Sequence, residues 1–292
     1  MWLSRPGDAP LTQRSPRVVA ARKLLRRRHR DQAGLFLAEG PQAVREALAA
    51  GAVEELFGTI EGYGRARALV DAAHEAGVAV WPVTEQGLAT LGETVTPQGV
   101  VAVCRHVHHD DLAAVLADVA RLVVVLAGIS DPGNAGTVLR TADAAGASAV
   151  VFGEGTVDPY NGKCVRASAG SLFHVDVVRG GSAASAIEAL RGAGLTVLAA
   201  DAHGPDDLDD YADSGGLRDR TAWVFGSEAH GLPAKLADLA DARVRVPIHG
   251  QAESLNLAAA AAVCLYASAR AQRRGAPVNH SFSRPAGGRA TG

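Results

Sequence analysis

Three short clusters in the second half of this 292-residue chain gather the residues that could do chemistry. They are DPGNAGTVLRTADAAG from Asp131, FGSEAHGLP from Phe225 and VPIHGQAESLNLAAA from Val246. Each breaks a buried-looking strand with a tight loop. The loops carry Gly or Pro together with uncharged hydrogen-bonding groups, which is how an α/β chain builds a ligand pocket at its strand ends. In the first cluster a turn leads into a helix, with Asn134 at its start and Arg140 nearly two turns along. Taken singly, Asn134 could cap that helix and Arg140 could be a solvated helix residue. In the second, Gly226 would let a ligand approach the backbone closely, while Ser227 and Glu228 offer an acceptor-rich edge between Phe225 and Gly231. In the third, Pro247, Gly250, Ser254 and Asn256 lie among apolar Val246, Ile248, Leu255 and Leu257. Backbone polar groups between apolar walls suit a flat heterocycle such as adenine.

Several alternatives fail on spacing. AGISDPGNAG after LVVVL is not a GxGxxG fingerprint, no acidic residue follows about 20 residues on, and no GxxxxGK[ST] loop exists. Neither Ser227 nor Ser254 stands in a GxSxG elbow. Cys104, Cys164 and Cys264 are far apart without CxxC spacing, which gives no zinc site and fits a reducing compartment. His106, His108 and His109 lack helical i, i+4 spacing and a cysteine partner, so they read as a solvated linker and no metal is expected.

The elements that must position these clusters follow from periodicity. Residues 1–15, with Pro6, Gly7 and Pro10, read as a mobile arm. RVVAARKLLRRRHRDQAG then places Val18, Val19, Leu24 and Leu25 on one helical face and the arginines on the other, before the strand LFLAE. A helix over 41–50, a strand over 55–59, a helix over 65–76, VAVWPV from Val78 and GVVAVCR from Gly99 continue the alternation, giving a small α/β domain over 16–106. After a linker over 107–120, the runs LVVVLAG, SAVVFG, LFHVDVV, LTVLAA, TAWVFG and ARVRVPI are the near-continuous apolar strands of a parallel sheet covered on both faces. This second α/β domain spans 121–274, and a Pro/Gly/Ser/Arg-rich tail over 275–292 is expected to be disordered. The Ala-rich stretch 255–269, with Ser254 as its N-cap, reads as a buried helix, being shorter than the roughly 20 apolar residues that span a bilayer. The first residues lack a signal-peptide core, and cytoplasm is the natural reading.

Net charge is −2, but it is unevenly spread. Residues 1–30 carry +8 and residues 270–292 carry +5, which leaves −15 for the body between them. Basic segments on an acidic protein can hold a polyanion by releasing its counterions, or they can simply be solvated. Arg22, Lys23, Arg26, Arg27 and Arg30 are the candidates to grip the phosphates of such a polyanion.

In order and spacing the three clusters resemble the SpoU (TrmH) family of SPOUT RNA methyltransferases. The motifs are N-x5-R as Asn134 and Arg140, GSE-x2-G as Gly226, Ser227, Glu228 and Gly231, and P-x6-SLN as Pro247, Ser254, Leu255 and Asn256. The resemblance covers about 121–270, and the N-terminal half is similar to the RNA-binding domain often joined to such enzymes. It implies a parallel α/β domain with a deep trefoil knot, a homodimer, S-adenosylmethionine as methyl donor and a ribose 2′-hydroxyl as acceptor. Asn134, Arg140, Glu228, Ser254 and Asn256 would then face the ribose. Phe225, Gly226, Ser227, Gly231, Val246, Pro247, Ile248, Ser254, Leu255 and Leu257 would frame the cofactor. The added domain points to 23S ribosomal RNA as substrate. A tRNA substrate and a non-catalytic RNA-binding protein of the same fold are the alternatives.

Overall fold

The structure is a computed structural model that describes residues 9–94, 97–116 and 120–275. Its smaller sheet has four strands, β1 (Leu35–Glu39), β2 (Val53–Gly58), β3 (Ala79–Pro82) and β4 (Val100–Arg105), in the order β1-β4-β2-β3. Strand β4 runs antiparallel to β1 and β2, and β3 joins β2 in parallel. The larger sheet contains β5 (His108–His109), β6 (Leu122–Leu126), β7 (Ala149–Phe152), β8 (Asp176–Arg179), β9 (Thr196–Ala200), β10 (Asp206–Asp207), β11 (Thr221–Phe225) and β12 (Ala242–Arg245). Its order is β10-β12-β9-β11-β6-β7-β8-β5, and every pairing is parallel.

The apolar runs dictate this sheet. All residues of β6, β7 and β11 are buried, as strands covered on both faces must be. Alternation sends Leu122, Val124, Leu126, Trp223 and Phe225 toward the helices Pro132–Ala145 and Leu257–Gly275. Val123, Val125, Ala222 and Val224 point the other way, onto Ile187 and Leu190 of the helix Ala183–Gly192. The helix Pro132–Ala145 starts with Asp131, whose Oδ1 accepts from Asn134 N at 2.9 Å, and stops at Gly146, at φ 81°. Midway, a Cβ on Gly136 would lie 2.4 Å from the Cys164 carbonyl oxygen in the helix Gly162–Ser168. Only glycine lets those two helices cross so closely.

Several expectations need correction. Residues 11–15 are not a mobile arm: Leu11 N donates to Pro82 O at 2.8 Å, and Thr84 N to Leu11 O at 2.9 Å. Residues 1–8 of that arm, and the tail from 276, lie outside the described residues. The segment 107–120 is not a solvated linker, because His108–His109 pairs with β8 at the sheet edge and the helix Leu112–Leu116 follows. In LFHVDVV only Asp176–Arg179 is strand, and Ser171–Phe173 is a 3₁₀ turn. The last helix begins at Leu257, with Asn256 rather than Ser254 as its cap: Asn256 Oδ1 accepts from Ala258 N at 2.9 Å.

The basic stretch is two helices, Pro16–Lys23 and Arg27–Ala33, and Arg30 explains the break. Arg30 is 4% exposed, and its Nη1 donates to Leu24 O (3.0 Å) and Leu25 O (2.9 Å), carbonyls where the first helix ends. Its Nε and Nη2 donate to Asp158 Oδ2 at 2.9 and 2.6 Å across to the larger sheet's side of the molecule. Arg30 is therefore withdrawn from any phosphate. Around it Arg179 pairs with Asp31 at 2.6 Å, and Arg166 with Glu39 at 3.2 Å. Tyr160 stacks on His106 with centroids 4.0 Å apart, and burial, with His108 and Arg179 nearby, pushes the His106 pKa down to about 4. A single cluster of buried residues runs from Phe36 and Val44 through Tyr160 to Trp223, so the two sheets share one core.

Removing Arg30 strips the buried Asp158 of both bonds to its Oδ2, leaving it Arg179 at 3.5 Å and the Tyr160 amide at 3.2 Å, both on Oδ1. Arg30→Ala should cost about 3–5 kcal/mol in denaturant unfolding, whereas Arg27→Ala, which breaks only the exposed 3.6 Å contact to Asp31, should cost less than about 1 kcal/mol. Equal effects would refute the strut. A pH effect is expected at His174, which bonds Asp143 Oδ2 at 2.9 Å and Glu46 Oε2 at 3.3 Å. The bond to Asp143, reinforced by Glu46 against the opposing effect of burial, raises its pKa. Its stabilisation is complete below the unfolded value of about 6.5 and is lost as pH rises through the higher folded value. The gap in melting temperature between wild type and His174→Gln should shrink between about pH 5.5 and pH 8.5; a gap that does not change would overturn this.

Candidate active site

The loops after β6, β11 and β12 open on the same sheet edge, and there the structure joins one residue from each cluster. Asn134 Nδ2 donates to Glu228 Oε1 at 3.0 Å, and Asn134 Oδ1 accepts from Asn256 Nδ2 at 3.3 Å. Ser130 N and Oγ both reach Glu228 Oε2 at 3.4 Å. Asn134 is free for this because Asp131 caps the helix; Asp131 is itself held by Lys163 at 2.8 Å. Asn256 divides its amide, the oxygen capping the last helix and the nitrogen facing Asn134. Burial opposes ionisation of Glu228, but hydrogen bonds from the Asn134 side chain and from the backbone of Glu228, Ser130 and Asp131 outweigh it and lower the pKa. A carboxylate held in its ionised form is a weak base near neutrality, and here it accepts from Asn134 and Ser130.

The second cluster folds onto itself. Ser227 N donates to Gly231 O at 3.1 Å, Gly231 N to Ser227 O at 2.9 Å, and His230 N to Ser227 Oγ at 3.3 Å. Gly226 was expected to admit a ligand; the close approach is made by the chain itself, since a Cβ there would lie 2.3 Å from the Gly231 carbonyl. The Phe225 side chain is core, at 1% exposed, and only its backbone reaches the edge.

The third cluster is the opposite. Val246 and Leu257 pack against the core at either end, and Pro247 is half-buried. None of the hydrogen bonds among the described residues involves 247–255. Ile248 and Leu255, 36% and 39% exposed, stand beside these unspent backbone groups. Ser254 is exposed and is not drawn into the Asn134–Glu228–Asn256 cluster. Next to this loop, the turn after β9 is braced by Arg243, which donates to Asp201 Oδ2 at 3.0 and 2.8 Å.

Arg140 is not brought to the cluster within one chain. Six residues beyond Asn134 it lies about 9 Å along the helix and on another face. It is exposed, with no ion pair or hydrogen bond among the described residues. Arg22, Lys23, Arg26 and Arg27 are exposed, with Arg27 near Asp31. Sequence reasoning missed Ser130, for which no local signal exists, and Asp131, whose Asp-Pro-Gly context is a readable cap. Among the described residues no group of three His, Cys, Asp or Glu could hold a metal ion, and no helix is long and apolar enough to cross a membrane.

A parallel α/β sheet whose strand-end loops converge on an amide–carboxylate–amide cluster, with a second α/β module docked beside it, defines the class: a strand-end ligand-binding enzyme with an appended recognition module. Comparison with known proteins makes this specific. Residues 121–266 match the SpoU rRNA Methylase family, and residues 15–102 the MRM3-like substrate binding domain. The chain is 35% identical over 254 residues to the 23S rRNA (guanosine(2553)-2′-O)-methyltransferase RlmP of Bacillus subtilis, covering 87% of this chain and 96% of that protein. It is 33% identical to the 23S rRNA (uridine(2479)-2′-O)-methyltransferase of Streptomyces viridochromogenes, covering 91% and 93%. The crystal structure of the SpoU methyltransferase AviRb from that organism, in complex with AdoMet, is similar with a TM-score of 0.77 at 30% identity, over 89% of this chain and all of that one. This chain belongs to the SpoU rRNA methylase family.

The self-closed second loop is directly testable. Gly226→Ala should push Gly231 away and break its 2.9 Å bond to Ser227 O. Hydrogen exchange at the Gly231 amide should then quicken roughly tenfold, the loss of about one hydrogen bond. Unchanged protection would mean that the loop is held by something else.

Proposed function

We propose that this protein transfers a methyl group from S-adenosylmethionine to a ribose 2′-hydroxyl of 23S ribosomal RNA in the cytoplasm. The observation that carries this reading is the union of Asn134, Glu228 and Asn256 beside the unpartnered 247–255 loop. The 23S rRNA substrates named for the relatives support the choice of RNA. Free backbone donors and acceptors next to exposed Ile248 and Leu255 fit an adenosyl group, with Gly226, Ser227 and Gly231 forming the opposite wall. When bound, S-adenosylmethionine supplies an electrophilic methyl on sulfur.

The chain's own residues must orient and deprotonate a poor nucleophile. Asn134 and Glu228 give the sugar a fixed donor and acceptor respectively, while Asn256, with Ser254 beside it, holds the third loop in place. A guanidinium stays protonated in proteins, so Arg140 is not the base. It stabilises the developing alkoxide and orients the RNA phosphate, with that phosphate or water taking the proton.

The reading includes a homodimer. Val263 and Tyr266, 42% and 52% exposed, share with Ala259 and Arg270 one face of the last helix, which packs on the helix bearing exposed Thr137, Arg140 and Ala144. A second copy over this face would set Arg140 at the boundary between chains, close to a cluster that its own chain does not let it reach. The deep trefoil knot belongs to the same reading: β12 sits between β9 and β10, and the chain then returns through 246–256 to the first helix of the site.

Arg140→Ala should lower methyl transfer from labelled cofactor to 23S rRNA by at least about 100-fold, the scale for losing one transition-state stabiliser, and leave cofactor binding by calorimetry within about twofold of wild type. An active variant refutes the assignment. Mapping 2′-O-methyl groups on rRNA from cells with and without the gene tests the substrate; identical maps would overturn it.

A further inference from the structure

The helices Pro41–Ala49 and Arg67–Glu75 leave a groove of about 760 Å³ on the smaller sheet's side of the molecule. Its floor is apolar, including Leu48 and Leu69; its rim carries Arg45, Arg65 and Arg67, with Gln98 at one end, and no carboxylate lines it. The cavity of about 540 Å³ at the junction of the two sheets is different: Arg27 and Arg179 there face Asp31, Asp110, Glu154 and Asp158. Of the two, only the first has the charge to seat a phosphate chain.

Its arginines are also exposed. Arg45 is exposed and has no ion pair or hydrogen bond among the described residues. Arg65 meets Glu61 at 2.8 Å and Arg67 meets Asp71 at 3.7 Å, both exposed contacts one helical turn apart, which are weak and readily exchanged. A guanidinium released from such a contact binds a phosphate by two parallel hydrogen bonds. The basic stretch 16–33 is less well placed, since Arg30 is buried on Asp158 and Arg27 sits at the acid-rich junction. The groove also lies near the catalytic side. His174 ties Glu46, the neighbour of Arg45, to Asp143, which is one turn from Arg140.

Resting on the RNA-methylating reading above, we propose that this groove is where the N-terminal module holds its RNA. Arg45, Arg65 and Arg67 take successive phosphates, and the apolar floor receives the sugar and base faces between them. These residues, more than Arg22, Lys23, Arg26 and Arg27, set the electrostatic part of RNA affinity.

The test uses the full chain and unmodified 23S rRNA transcribed in vitro, with binding measured over a range of salt. Arg45→Gln, Arg65→Gln and Arg67→Gln combined should weaken binding by about 30-fold or more and flatten the slope of log K against log salt by about 2 to 3, as three lost phosphate contacts require. KM for RNA should rise while kcat at saturating RNA and cofactor binding hold. The triple lysine variant, which keeps the charges, should retain most of the slope and excludes misfolding as the cause. Arg22→Gln, Lys23→Gln and Arg26→Gln combined should change the slope less. A glutamine variant with wild-type affinity and slope, or a larger effect from the 22–26 variant, overturns the groove while leaving the methyltransferase reading intact. A wild-type protein that neither binds nor methylates the rRNA overturns both.

Discussion

The common direction of all eight strands in the larger sheet is the constraint on which the site depends. Parallel strands place every carboxyl end on one edge, so loops far apart in sequence open side by side. Strands β11 and β6 are neighbours, about 4.8 Å apart, which is why Glu228 after one can meet Asn134 and Ser130 after the other. Asn256 arrives by a different route, at the start of a helix pinned to the same sheet. Trp223 Nε1 donates to Ser268 Oγ at 2.9 Å, and Gln272 Nε2 reaches the carbonyls of Arg121 and Asp219 at 3.1 and 3.0 Å. The polar cluster thus has rigid backing on every side, and rigidity in such a site is what preorganises it.

The second constraint is electrostatic. Burying the Arg30 guanidinium is costly unless its donors are met, and here four hydrogen bonds meet them: two to carbonyls of its own segment and two to Asp158. Those bonds tie the end of one helix to the loop after β7, fixing the angle at which the two sheets meet. The shared apolar core through Phe36 and Tyr160 supplies the adhesion, and the ion pair supplies the register. A module fixed in this way presents its outer face to a substrate at a set distance from the strand-end loops.

Much of this was legible in the sequence, and the failures have physical causes. The central strands were readable because LVVVL, AVVF and TAWVF admit no solvated face. The three clusters were readable as a set because Gly, Pro and amide side chains at strand ends have few other uses. Arg30 was not: in a run of arginines a buried guanidinium looks like its solvated neighbours, and its partner is 128 residues away. The strand His108–His109 is too short to have a period. Gly226 was recognised as a close-approach glycine, but sequence cannot say whether a ligand or the chain's own backbone makes the approach.

In the proposed reading the placement of Arg140 ties chemistry to assembly. A helix of 3.6 residues per turn cannot present residues six apart on one face, so Asn134 and Arg140 look in different directions whatever the loops do. One chain therefore joins Asn134, Glu228 and Asn256, while Arg140, the cation of the proposed mechanism, stands outside that cluster. Rotamer changes move a guanidinium by several ångströms but do not carry it around a helix. Loop motion cannot bring it either, because the helix is capped by Asp131 and crossed at Gly136 by the helix Gly162–Ser168. In the reading proposed above, the group that its own chain keeps away comes from a second copy, seated over the exposed apolar residues Val263 and Tyr266 of the helix packed against the one bearing Arg140.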